Sequence, residues 1–138
     1  MVKLDNIFFT KRKLVDNLYK SANLEGIKIT EVDVVYFLNN VNNGKISVDD
    51  MLKLKGLKDA WEFVLNSVDE ELTVDYIKKI HYQICKGQSI EPLGDFRDCG
   101  VGITVTSWRP KLPSECDYEK ELDNILNIEH LLNLHIEE

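Results

Sequence analysis

Apolar residues recur along most of this chain at the three- and four-residue spacing of an amphipathic helix, and pairs of capping residues mark where each such segment starts. Leu14, Val15, Leu18, Tyr19 and Ala22 form one stripe within a segment from about Phe9 to Leu24. Gly26 stands where a helix C-cap requires a left-handed backbone. Thr30 and Asp33 have the spacing of a capping box, which predicts a second helix carrying Val34, Val35, Phe37 and Leu38. Ser47 and Asp50 repeat the signal ahead of Leu54, Leu57, Trp61, Val64 and Leu65. Thr73 precedes Ile77, Ile80, Ile84 and Cys85, and a last helix is expected from about Asp117, with Leu122, Ile125, Leu126, Leu131 and Leu132 on its apolar side. One stretch departs from this period. Val101, Ile103 and Val105 alternate with Gly102 and Thr104, which predicts a short β-hairpin before Arg109-Pro110 breaks it. The expected fold is mainly α with that one hairpin, in a single domain.

Length and composition agree with a packed core. A chain of 138 residues buries roughly 68–70% of its unfolded surface without staples. Acidic side chains outnumber basic ones by 24 to 17, and the net charge of -7 repels phosphate backbones and anionic lipid, so neither nucleic acid nor a membrane is expected as a partner. The Lys11-Arg12-Lys13 cluster reads as a solvated helix face. Three cysteines, Cys85, Cys99 and Cys116, form no CxxC and no even set, the usage of a reducing cytoplasm. No apolar run approaches a membrane span.

Two metal readings weaken on their residues. The stretch from Asn39 to Asp50 has Gly44 and Ile46 where a calcium loop has them, but Val41 offers no oxygen and Asp50 replaces the bidentate Glu. An Asn-Gly turn between two capped helices explains it better. His81 and Cys85 share a helix face but make only two ligands, so His81 reads as a core residue with a satisfied ring. His130 and His135, five apart, do not share a face. No metal site is expected.

Glu25 is unusual, because a carboxylate in the last turn of a helix faces the negative end of the dipole. Ser21-Ala22-Asn23-Leu24-Glu25-Gly26 resembles the [Ser/Thr]-x-x-x-Glu-[Gly/Asn] inhibitory helix motif of Fic-domain proteins. The order that follows is similar to the family's: Lys58-Asp59-Ala60-Trp61, Leu72-Thr73, Ile80-His81, Gly94-Asp95-Phe96-Arg97, the hairpin Val101 to Val105, then Arg109-Pro110 and Leu112-Pro113. The resemblance runs from about Tyr19 to Leu126.

It implies a Fic-like helical bundle, with residues 9–26 as an inhibitory helix and 27–138 as the N-terminal part of the core. The implied activity is AMP transfer from ATP to a target-protein hydroxyl, with ATP and Mg²⁺ as cofactors. Ser21, Glu25 and Gly26 would be the inhibitory motif. Val101, Gly102, Ile103, Thr104 and Val105 would be the target-docking flap, which grips a protein target by strand addition, and Gly94 and Arg97 would support it. The family's His-Pro-Phe-x-[Asp/Glu]-Gly-Asn-x-Arg loop does not occur in the sequence. The base, the Mg²⁺ ligand, the anion cradle and the arginine partner of Glu25 are therefore absent, and no catalytic residue is assigned. The expectation is a Fic core cut short at its C-terminus, inactive alone, with its last helix exposed for self-association. The alternative is a non-catalytic helical interaction module, with a calcium-binding helix-loop-helix a distant third.

Overall fold

A computed structural model describes residue 5, residues 8–10 and residues 12–134, with residues 129–134 described in their backbone alone. The chain is mainly helical. Five helices follow in order: α1 (Leu14–Leu24), α2 (Glu31–Leu38), α3 (Val48–Asn66), α4 (Val74–Cys85) and α5 (Tyr118–Leu134). Each of the last four starts beside the capping residue expected of it. The Thr30 hydroxyl accepts from the Asp33 N–H while the Asp33 carboxylate accepts from the Thr30 N–H, a complete capping box. Ser47 Oγ accepts from the Asp50 N–H at 3.1 Å, Thr73 Oγ1 from the Tyr76 N–H at 3.2 Å, and Asp117 Oδ1 from the Lys120 N–H at 3.1 Å. α1 begins later than its apolar pattern does. Lys13 lies in the bridge region (φ -94°, ψ 8°) with no side-chain cap, so the helical residues 8–10 are set off from it.

Two compact units divide the chain: Met1–Val68 with Gln83–Ser89, and Asp69–Tyr82 with Ile90–Glu138, the boundary falling within α4. In the first, α1 packs on α2 and α3. Leu18, Ala22, Ile27, Val34 and Leu54 are almost wholly buried there, with Trp61, Phe37 and Ile84 packed against them. The α3 stripe approaches the segment after Tyr82 so closely that Gly56 is the only residue that fits. A Cβ at Gly56 would lie 1.9 Å from the Ile84 carbonyl oxygen. In the second unit, Val74, Tyr76 and Leu126 are buried, and a long connection runs from Ile90 to Asp117 between its helices.

The expected hairpin is not formed. Among the described residues there is no strand, and residues 101–105 run irregularly into a turn. Val105, a β-branched residue, adopts a left-handed φ of 67°, which costs roughly 1–2 kcal/mol and ends any extended run. The Thr106 N–H closes the turn onto the Ile103 carbonyl at 3.2 Å. Alternation alone predicts a strand only where a second strand supplies the ladder, and none lies beside this one. Leu131, Leu132 and His130 fall where side chains are not described, and His135 lies outside the described residues. Among the described residues no helix is long and apolar enough to cross a membrane.

Candidate functional site

The motif Ser21–Glu25–Gly26 ends α1 in a Schellman motif. The Gly26 N–H donates to the Asn23 carbonyl and the Ile27 N–H reaches back to the Ala22 carbonyl, both at 3.0 Å. Gly26 takes the left-handed φ of 79° that this geometry demands. Ile27 and Ala22 are both buried, so the turn is anchored in the core. Ser21 Oγ faces α3 and accepts from Trp61 Nε1 at 3.4 Å. Glu25, the C-cap, is exposed, and among the described residues no cation lies within ion-pair distance of its carboxylate. Burial raises the pKa of the Cys85 thiol, and the negative charge of Glu25 adds to the rise. Glu25 is therefore an exposed carboxylate at the negative end of its own helix.

The flap residues lie in a loop whose ends are tied together. Arg97 donates to the Cys99 carbonyl at 2.6 Å and to the Lys111 carbonyl at 2.7 Å, closing the segment between them. Its guanidinium stacks 4.8 Å from the Tyr118 ring, and the Tyr118 hydroxyl donates to the same Lys111 carbonyl. Gly94 supports the start of the connection: its N–H donates to His81 Nδ1 at 3.1 Å, and its φ of 68° excludes most side chains. Inside the loop, Arg109 donates to the carbonyls of Thr106 and Trp108 and lies across Gly102, where a Cβ would meet its guanidinium carbon at 2.8 Å. The result is an open cleft of about 770 Å³, whose walls are Gly100–Thr104 on one side and Arg109–Leu112 with Glu115 on the other. Val101, Ile103, Val105 and Trp108 are exposed around it, Val105 at 99%.

Sequence reasoning missed what fastens this loop to the helices. Lys78 of α4 bridges Asp95 at 3.0 Å and Glu119 at 3.3 Å and lies over the Phe96 ring at 5.2 Å. The hydrogen bond to Asp95 raises the Lys78 pKa, and the Phe96 N–H and Lys78 hold the Asp95 carboxyl low. Partners so far apart in the chain leave no local signal. Gly56 was not singled out either, although an isolated glycine inside a helical pattern is a local signal of close packing.

The loop that copies part of a calcium site uses its oxygens on itself. Asn42 Oδ1 accepts from the Gly44 N–H, Asn43 Oδ1 accepts from the Lys45 N–H, and the Asn43 amide donates to Asp33. Among the described residues no three His, Cys, Asp or Glu side chains converge as metal ligands. Comparisons with family models, with curated proteins and with solved structures found no match to this chain.

Proposed function

We propose that this chain carries the regulatory and target-docking elements of a Fic-type AMP transferase and does not transfer AMP by itself. Glu25 is the observation that carries the reading. Its carboxylate is exposed, sits on a Schellman turn anchored by buried Ala22 and Ile27, and has no cation partner among the described residues. An anion placed against a helix dipole without compensation is mildly unfavourable, and a cation supplied by another element reverses the sign. In the Fic family that cation is the second arginine of the His-Pro-Phe-x-[Asp/Glu]-Gly-Asn-x-Arg loop. The same loop supplies the general base, the Mg²⁺ ligand and the phosphate cradle. The 138 residues contain no such run, so ATP and Mg²⁺ engage only where it is supplied.

The reading frame beyond codon 138 and labelled ATP test this. The expected frame continues into a His-Pro-Phe and Gly-Asn run, and Glu25→Gly in that longer chain raises self-modification. A frame that continues without the run, or a Glu25→Gly chain no more active than the parent, overturns the reading.

One observation favours a second reading, a non-catalytic interaction module. Val101, Ile103, Val105 and Trp108 stand exposed on a loop that makes no ladder of its own. That reading expects a stable protein partner and no ATP binding by calorimetry. Mg²⁺-dependent ATP binding to the 138-residue chain would exclude it.

A further inference from the structure

We infer that the cleft of the 99–111 loop takes an extended acidic segment of a partner protein, with Lys111 and Arg109 selecting its carboxylates. The inference rests on the reading of Val101–Val105 as the docking segment and adds the chemistry of what docks.

Charge distribution carries it. The chain is acidic as a whole, yet residues 99–114 contain Arg109 and Lys111 and not one Asp or Glu. Seven lysines elsewhere, Lys78 and Lys86 among them, each reach a carboxylate within 4 Å, whereas Lys28, Lys45 and Lys120 reach none among the described residues. On the cleft, the Arg109 guanidinium bonds only the carbonyls of Thr106 and Trp108. The Lys111 ammonium has no partner among the described residues. Glu115, the one carboxylate on the rim, accepts from the Leu112 N–H at 2.8 Å.

Backbone and apolar groups fit the same occupant. The N–H and C=O groups of Val101 and Gly102 have no partner within the described residues. Val101 and Ile103 present exposed apolar side chains at alternate positions. An extended peptide satisfies the first by main-chain pairing and the second with every other side chain. Opposite charge at the rim then sets the choice among sequences. Two cations in an acidic protein are too few to hold a polyphosphate backbone, which favours a peptide.

Trp108, exposed beside Arg109, reports binding by its fluorescence, with Trp108→Phe as the control that removes the signal. The probes are blocked peptides of about eight residues, a strand's length, alternating Glu with Val or Lys with Val. The Glu-Val peptide is expected to bind saturably, and the Lys-Val peptide is not. Lys111→Glu is expected to weaken binding by about tenfold and Lys111→Arg to preserve it, as reversal of an exposed charge predicts. The loop survives these changes, because it is the Lys111 carbonyl, not its ammonium, that Arg97 and Tyr118 hold. Equal binding of both peptides, or unchanged affinity in Lys111→Glu, overturns the inference. No ATP enters the assay, so a failure of AMP transfer leaves this result standing on its own.

Discussion

Asp33 is nearly buried, yet each of its carboxylate oxygens has a donor. Oδ2 accepts from the Thr30 N–H at 2.9 Å and from the Thr30 hydroxyl at 2.7 Å, and Oδ1 accepts from the Asn43 amide at 2.9 Å. These bonds, the Thr30 backbone first, hold its pKa below the ordinary carboxylate value. A folded-state pKa below the unfolded one contributes stability that is fully present above the unfolded value, near about 3.9, and lost as pH falls through the folded one. Asp33→Asn is therefore expected to unfold at lower urea than wild type at pH 7, with the gap closing as the pH drops below about 4. A gap that stays constant with pH would contradict this role. Half of this arrangement was legible beforehand. Thr30 and Asp33 are three residues apart and cap one helix turn, whereas Asn43 arrives from ten residues on through a loop.

Among the elements, α3 shows a local preference overruled by a neighbour. Glycine in a helix interior costs about 1 kcal/mol relative to alanine, so propensity favours Gly56→Ala. The added Cβ would overlap the Ile84 carbonyl, and separating the backbones costs about 1–3 kcal/mol or more. We expect a net loss of stability, seen as a lower Tm; an unchanged or raised Tm would show that the two segments separate freely. The 101–105 segment makes the same point from the other side. Its alternation is a strand pattern, but a strand is a relation between two segments, and what the chain supplies opposite it is the side chain of Arg109. The starts of α2 to α5 were read correctly because a cap is satisfied within one turn, whereas α1, with no side-chain cap, starts later than its apolar pattern does.

For the whole molecule, protection should follow burial. The amides of α1 and α3 around Leu18, Ala22, Leu54 and Leu57 belong to one packed cluster and should exchange slowest, opening together. Those of residues 99–108, on an exposed loop without a ladder, should exchange fastest among residues 12–128. Hydrogen exchange read by mass spectrometry checks this, and fast exchange in α1 with a protected α3 would separate α1 from the core. What the sequence by itself determined is the set of helices, the capping residues of the last four and the C-cap glycine at Gly26. All of these rest on hydrogen bonds and apolar spacing within a few residues. Only the tertiary structure decided that Gly56 touches the Ile84 backbone, that Lys78 ties Asp95 to Glu119, and that Arg97 closes Cys99 onto Lys111. Those contacts join residues up to 41 positions apart, where no local pattern records the partner.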